Sequence, residues 1–373
     1  MNKTFTITSI TLLIFFSASA FSQDTTKPEF KASGKLWGLA FGDYFYKVHA
    51  DSSSRGNAQY SNMAKDYNAF EFRRIYLGYN YDISEKFSAE LLLAYQGQTL
   101  IDNTRTVYIK SANLRWKNIW KNTDLLIGQS QTPMWPLLSE KVWNYRSVEK
   151  TIPDMHKLGT DNDMGIALQS KIITNDKTEV GYNLMIGNGT AQKIETDKFK
   201  KMYGDVYAKI LNKKIIFDLY GDYERSQLSP YMKSKMTMKV LLAYQSDKIT
   251  IGVEAVQQVQ EKSVSYVTPA GTVIDNIIVL GVGGYIRGQI IKDKLNFFIR
   301  QDIYIPNTNT PSYLYKSEED FSIAGFDYMP SKNIHIIPNV WYNSYYIENP
   351  ALPAKSRRDY DMVPRLTVYY IFK

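Results

Sequence analysis

The residues best suited to act on a solute are concentrated in one stretch, 133–160, which is rich in aromatic and basic side chains. Within it, Trp143, Arg146 and Lys150 fall at positions i, i+3 and i+7, so a short helix beginning at Ser139 would carry them on one face. Cations that border a narrow aqueous passage steer ions strongly. The alternative is an ordered cap whose charges are neutralised by carboxylates of the stretch and its surroundings. If this stretch narrows such a passage, the residues that would form the constriction are Lys141, Trp143, Arg146, Glu149 and Lys150.

A second group of basic residues falls on the strands predicted below, on the side that would face the interior: Arg74, Lys239, Arg287, Arg300 and Arg365. Arg287 and Arg300 should be neighbours, because a turn at Lys292-Asp293 would join their strands. Two adjacent guanidinium groups could bind a phosphate or a carboxylate. The mixed charges of these strands favour the alternative, in which Asp302 or Glu254 pairs with them across the sheet.

Enzymatic chemistry has little support in the sequence. The chain has no cysteine, and its three histidines, His49, His156 and His335, are far apart. This argues against a metal site or a histidine-centred catalytic triad. His156 lies near Asp154 and Ser147, which leaves an outer-membrane hydrolase as a minor alternative. We therefore expect no catalytic residues, no bound metal and no cofactor.

The elements that must position these residues are β-strands, because apolar and polar side chains alternate along most of the chain. In one example Phe87, Ala89, Leu91, Leu93 and Tyr95 occupy every second position. This period of two is typical of a wall with lipid on one face and water on the other. The predicted strands span 31–47, 68–82, 85–97, 104–117, 122–132, 161–173, 177–188, 201–212, 213–226, 233–246, 248–262, 276–291, 293–305, 318–330, 332–347 and 359–373.

The connections between these strands alternate between short turns and longer loops, the longer ones including 227–232 and 263–275. Beyond the N-terminus, no apolar run approaches the ~18 residues that a membrane-spanning helix needs. In lipid, only helices and closed barrels satisfy every backbone polar group. The sequence therefore predicts an all-β fold: a transmembrane antiparallel up-and-down β-barrel of about 16 strands. Its third long loop, 133–160, is expected to fold into the lumen.

The N-terminus indicates export. A basic start, an apolar stretch and small residues before position 21 are typical of a secretory signal peptide. We assign it to residues 1–22, with cleavage between residues 20 and 23, and the barrel to residues 24–373. The formal charge of +8, or +7 without Lys3, is spread along the chain. Together with export, this argues against a nucleic-acid partner.

Several segments resemble Bacteroidetes outer-membrane porins, which are distantly similar to the phosphate-selective porin O and P group. The segments are Phe72–Tyr79, Ser84–Ala89, Trp143–Thr151, Asp163–Ala167 and Gly187–Gly189. The resemblance implies a sixteen-strand barrel, a homotrimer and conduction of small solutes. The basic residues here are scattered and form no evident arginine ladder, so phosphate selectivity is not implied.

These observations predict an outer-membrane porin that passes small hydrophilic or anionic solutes by diffusion, with a weak anion preference. Its expected surroundings are the lipid bilayer, lipopolysaccharide and the barrel-assembly machinery. The alternative from another class is a barrel with a blocked lumen that serves as a surface binding or assembly module.

Overall fold

The computed structural model describes residues 30–56, 58–97, 100–101, 104–228, 231–268, 271–310, 315–349 and 351–373. The predicted signal peptide, 1–22, lies outside the described residues. Residues Ala32–Lys373 group into one compact unit by their contacts.

Most of this unit is β-structure, as the alternation of side chains predicts. The strands are β1 (Ser33–Tyr46), β2 (Asn68–Asp82), β3 (Phe87–Gln96), β4 (Leu100–Ile101), β5 (Thr104–Arg105), β6 (Tyr108–Trp120), β7 (Thr123–Gln131), β8 (Asn162–Thr174), β9 (Glu179–Gly187), β10 (Lys201–Ile210), β11 (Ile215–Leu228), β12 (Tyr231–Gln245), β13 (Ile249–Thr268), β14 (Gly271–Ile291), β15 (Leu295–Ile305), β16 (Ser317–Ser331), β17 (Ile334–Ile347) and β18 (Arg358–Phe372). The helices of the described residues are short: α1 (Ser139–Trp143), α2 (Ile152–Met155) and α3 (Ala354–Arg357).

Within the described residues, sixteen of these strands form a closed antiparallel barrel in which each strand pairs with its neighbours along the chain. The ring closes between β1 and β18, in a register that pairs Gly38 with Phe372 and Phe45 with Arg365. β4 and β5 form a separate two-stranded ladder between β3 and β6. The predicted antiparallel up-and-down barrel of about 16 strands is thereby confirmed.

The two ends of the barrel differ in their connections. Short turns close one end, where Asn122, Asn212 and Asp293 take positive φ angles of 58°, 60° and 56°. Asn and Asp accept this left-handed conformation more readily than most residues. At the other end lie the longer connections, but two predicted loops, 227–232 and 263–275, are wrong. β11 runs to Leu228 and β13 to Thr268, so strands occupy most of both segments.

The two faces of the wall differ in chemistry. In β18, Asp361, Arg365 and Thr367 are buried, whereas Leu366 and Val368 are each 43% exposed. The same alternation of buried polar and exposed apolar side chains recurs around the ring, so the inner face is polar and the outer face apolar. In the part of the chain that the structure describes, none of the helices has the length and apolarity to cross a membrane.

Candidate functional site

The connection between β7 and β8, residues 132–161, carries α1 and α2 and is named the long loop below. α1 ends at Trp143, because Asn144 follows it in the left-handed conformation at φ 58°. The predicted helix that would carry Trp143, Arg146 and Lys150 on one face is therefore wrong. The chain turns after Trp143, so Arg146 and Lys150 lie beyond the end of α1 and are not on the helix with Trp143.

Apolar side chains of the long loop pack against the inner face of the wall. Trp143 is 1% exposed and its ring meets those of Tyr285 and Phe298 at centroid distances of 5.0 and 6.1 Å. Nearer the start of the loop, Met134 and Trp135 pack in a second cluster with side chains of β7 to β11, β13 and β14. Burial of these large side chains is the main apolar contribution to holding the loop in place.

Basic side chains of the wall donate hydrogen bonds to backbone carbonyls of the long loop. Arg365 Nη2 lies 2.7 Å from Val148 O, and Arg300 Nη1 lies 2.5 Å from Lys150 O. Arg73 donates to the carbonyls of Ser147 and Val148 as well. Three guanidinium groups, from β2, β15 and β18, therefore bind three carbonyls within residues 147–150 of the loop.

Two other basic residues contact the loop around α1. Lys239 Nζ lies 2.6 Å from Ser139 Oγ and 2.7 Å from Asp218 Oδ2. Arg287 Nε donates to Val142 O at 3.0 Å. Of the five basic residues predicted to face the interior, four thus bind the long loop. Arg300 also pairs with Asp302, one of the two carboxylates suggested by the sequence, but along its own strand and not across the sheet as predicted.

The fifth predicted residue, Arg74, is placed by a β-bulge. The register of β1 with β2 pairs Phe41 with Arg74 but Gly42 with Phe72, so Arg73 is an extra residue and both arginines are buried on the inner face. A Cβ atom on Gly42 would clash with the carbonyl oxygen of Glu71, which explains the glycine opposite the bulge. Strict alternation would have turned Arg73 outward, and the sequence analysis omitted it for that reason.

A cavity of about 960 Å³, named the large cavity, lies between the long loop and strands β1, β2 and β3. Its lining is strongly basic, with seven cationic side chains against two carboxylates. The cations are Arg73, Arg74, Arg105, Arg146, Lys150, Lys157 and Lys193, and the carboxylates are Glu71 and Glu149. Arg146 and Lys150, which the sequence analysis placed at a constriction, both line this space.

Arg146 is the most strongly neutralised cation of the large cavity. Its Nη1 forms ion pairs with Asp154 and with Glu140, the latter at 3.1 Å. Burial opposes its charge, but these two carboxylates raise the pKa of Arg146 above its ordinary value. Lys150 differs: its ammonium has no ion pair among the described residues. Burial lowers the pKa of Lys150, and the positive charge of Arg146 lowers it further, despite the opposite effect of Asp154.

Glu149, another of the predicted constriction residues, holds the conformation of the long loop. It is 3% exposed, and its Oε2 accepts a hydrogen bond from Trp341 Nε1 at 2.9 Å. Its backbone carbonyl accepts another from Trp143 Nε1, also at 2.9 Å. Trp143 and Glu149 therefore fix the conformation of the loop around Arg146 and Lys150.

A second cavity of about 380 Å³, the small cavity, lies beside strands β6 to β10. Its cations are Arg115, Lys141, Lys171 and Lys209, and its carboxylates are Asp124 and Glu179. Lys141 of the long loop therefore faces a different space from Arg146 and Lys150. Burial, followed by the nearby charge of Lys209, lowers the pKa of Lys141.

The histidine of the long loop is not arranged for catalysis. The His156 ring stacks on Tyr304 at a centroid distance of 3.5 Å, and its Nε2 is buried without a hydrogen-bond partner among the described residues. Burial, with a smaller contribution from Arg300, lowers the pKa of His156 to about 3. The ring is therefore uncharged at neutral pH, and among the described residues no carboxylate forms a hydrogen bond or ion pair with it. In the described ranges, no three acidic or histidine side chains are grouped as metal ligands.

Another residue that the sequence analysis missed is Lys110. A register shift between β3 and β6 leaves it without a paired residue, beside Ser111 on the inner face. It forms an ion pair with Asp161 at the end of the long loop. Two consecutive residues on one face can only be recognised once the bulge is known.

No family model and no curated protein sequence matches the chain. Solved structures do match it over almost its full length. The outer-membrane channel DcaP of Acinetobacter baumannii aligns with a TM-score of 0.63 and 15% identity, covering 92% of this chain and 99% of that one. An anion-selective porin from Comamonas acidovorans aligns at 0.60 and 10%, covering 92% and 100%. A trimer form of OmpT, an outer-membrane protein of Vibrio cholerae, aligns at 0.55 and 10%, covering 91% and 99%. The chain thus has the barrel fold of outer-membrane porins.

Proposed function

We propose that the protein is an outer-membrane porin that lets small hydrophilic solutes diffuse passively and favours anions. The observation that carries the proposal is the excess of cationic over acidic side chains in both cavities along the inner face. Charge of one sign in a narrow, poorly hydrated passage attracts counter-ions and repels ions of like charge. The fold likeness to a channel and to an anion-selective porin supports it.

The outer membrane is the proposed location. The apolar outer face of the wall suits a bilayer, and a polar inner face suits an aqueous lumen. Export through the signal peptide predicted at residues 1–22 would deliver the chain to the barrel-assembly machinery, and lipopolysaccharide would surround the inserted barrel. The trimer form of OmpT supports a homotrimer.

The solute route that we propose runs between the long loop, folded into the lumen, and the wall formed by β2, β3, β6 and β7. Anions would meet Lys150 in the large cavity and Lys141 in the small one. Arg146 stands at the loop surface with its charge offset by Glu140 and Asp154, so its contribution to anion attraction is smaller. Trp143 and Glu149 would act by holding the loop in place.

A relationship to Bacteroidetes porins, and distantly to the phosphate-selective O and P group, is part of this proposal. It rests on the sequence segments described above. Phosphate selectivity is not proposed, because the inward basic residues Lys239, Arg300 and Arg365 are engaged with carboxylates, a tyrosine hydroxyl or loop groups. Few remain to form a continuous ladder.

The test is the current through purified protein in a planar bilayer with a salt gradient. Discrete steps and a reversal potential of the sign that indicates anion preference are expected. Lys141→Gln and Lys150→Gln should each shift that potential towards cations. Lys292→Gln is the matched control, since it removes the same charge from a turn outside both cavities. Equal potentials in all four proteins would refute the role of the loop lysines.

The alternative of a barrel with a blocked lumen is favoured by one observation, the number of wall groups that hold the long loop. Arg73, Lys239, Arg287, Arg300 and Arg365 all donate hydrogen bonds to it. A binding or assembly module would give no current although the protein is folded, as shown by heat-modifiable gel migration. That result would replace the porin proposal.

A further inference from the structure

Arg74 is unusual among the inward-facing arginines of β2, β15 and β18. It is 5% exposed and lines the large cavity, yet no described residue forms an ion pair or a hydrogen bond with its guanidinium group. It lies between two rings instead, with its Cζ 5.1 Å from the centroid of Tyr76 and 5.7 Å from that of Phe41. Burying a cation without a counter-charge is costly, and ring contacts offset only part of the cost.

The guanidinium group of the neighbouring Arg73, in contrast, is paired with other groups of the protein. Arg73 forms an ion pair with Asp43 and donates to carbonyls of the long loop. The bulge therefore directs one arginine into a structural network and leaves the next with its donors facing the cavity. A planar guanidinium group with free donors is suited to a carboxylate, which it can bind through two parallel hydrogen bonds.

Lys150 supplies a second cation to the same space. Its backbone is held firmly, because its carbonyl accepts from Arg300 at 2.5 Å and its N–H donates to Glu149 Oε1 at 2.9 Å. Its ammonium has no ion pair among the described residues. Arg74 and Lys150 both line the large cavity, and the charge of Arg74 makes a small contribution to the lowered pKa of Lys150.

Much of the remaining lining of the large cavity is apolar, and a site for small inorganic ions would not need apolar surface. Aromatic and thioether side chains border the cavity: Phe41, Met63, Tyr67, Tyr95, Tyr108 and Met155. The volume of about 960 Å³ lies at the upper end of the range for sites that hold organic molecules. Chloride or phosphate would leave these surfaces in contact with water.

From these observations we propose that the large cavity is a binding site for organic carboxylates that carry an apolar ring. Arg74 and Lys150 hold the carboxylate, and the rings of Phe41 and Tyr108 cover the apolar body. The proposal rests on the porin function proposed above and specifies the solute class of that route. Capture of such a solute near the long loop would raise its local concentration on the proposed route.

The test measures how benzoate, acetate and inorganic phosphate reduce the chloride current in a planar bilayer at constant ionic strength. Benzoate should reach half-block at a concentration about tenfold below that of acetate, because its ring buries apolar area that acetate lacks. Phosphate should block no better than acetate. Equal half-block concentrations for benzoate and either comparator would overturn the proposal.

Variants locate the site. Arg74→Gln should raise the half-block concentration of benzoate about tenfold, the loss expected for one charge-assisted contact. Lys150→Gln should act in the same direction, and it serves if the first variant fails to fold. Lys292→Gln, at a turn outside the cavity, should leave the benzoate block unchanged. Undiminished block in both cavity variants would overturn the assignment.

A separate measurement distinguishes failure of this proposal from failure of the channel function. If the folded protein carries no current, calorimetric titration of benzoate into the full barrel in detergent still tests the site. Binding that Arg74→Gln weakens about tenfold would support the site in a barrel that is not a porin. Absence of benzoate binding there would overturn it. Anion-selective current without benzoate block would overturn the site and leave the porin standing.

Discussion

Replacing Arg365 with glutamine should weaken the attachment of the long loop to the wall. The arginine donates to three groups: Asn339 Oδ1 at 2.6 Å, Tyr60 Oη at 3.0 Å and Val148 O at 2.7 Å. Glutamine is shorter and can keep one of these contacts at most. Of these three bonds, the one to Val148 O holds the long loop, and its loss should cost about 1.5–3 kcal/mol of docking free energy.

This free energy can be converted into a population of loops released from the wall. Since about 1.4 kcal/mol corresponds to a factor of ten, the released fraction should rise at least about tenfold. Arg73 and Arg300 still hold the neighbouring carbonyls, so the docked loop should remain the major state. The expected result is a noisier current with brief steps of larger amplitude, and a lower temperature of heat-modifiable unfolding.

The control is Lys117→Gln, which removes a partly exposed ion pair with Asp82 at the wall's edge. Exposed pairs contribute up to about 1 kcal/mol, so this variant should resemble the unmodified protein. If Arg365→Gln shows the same noise, step size and unfolding temperature as the control, then the arginine does not hold the loop. The reasoning from the hydrogen bonds to the loop would fail with it.

Three further outcomes are expected. Trp341→Phe removes the donor to the buried Glu149 Oε2, and leaving that oxygen unpaired should lower stability by about 1–3 kcal/mol, measured as a lower denaturant midpoint. Raising the pH from neutral should weaken anion preference before exposed lysines titrate, because the pKa values of Lys150 and Lys141 are both lowered. The reversal potential of Lys150→Gln should show a smaller early change, since only Lys141 then contributes to it. His156→Phe keeps the stack on Tyr304. Burial lowers the pKa of His156 to about 3 from its ordinary 6.5, so the unfolded chain binds the proton first and stability should fall as the pH drops from 6.5 towards 3. Unfolding temperatures measured across that window should show a smaller decline in the variant.

The barrel itself could be predicted from the sequence because lipid and water impose opposite demands on successive residues. The predicted strand at 68–82 coincides with β2, and the other barrel strands lie within a few residues of their predictions except where they extend further. β13 and β14 extend into the predicted loop 263–275, where the described side chains are exposed or half-buried on both faces. With water on both sides, the period of two disappears although the strand continues.

The site could be predicted only in part. The concentration of aromatic and basic residues in 133–160 correctly pointed to a loop that contacts the wall. The helix was wrong because Asn144 adopts a left-handed conformation, which asparagine tolerates better than most residues. Arg73 and Lys110 were missed since each occupies a bulge, where alternation fails locally. The partners of Arg300 and Arg365 are backbone carbonyls of the loop, which no pattern of side chains reveals.

The contacts of Arg365 also bear on the order in which the protein can fold. The residue lies on β18, the last strand, and reaches both Tyr60 near the start of the barrel and Val148 in the middle of the chain. Contacts so far apart in sequence form late, because a long chain segment must be ordered before they stabilise anything. The long loop therefore cannot reach its final docked state until β18 has sealed the ring. During assembly, the barrel would be open between β1 and β18 while the long loop is not yet docked. Pairing of these two strands would close the barrel and allow the loop to dock in the same step.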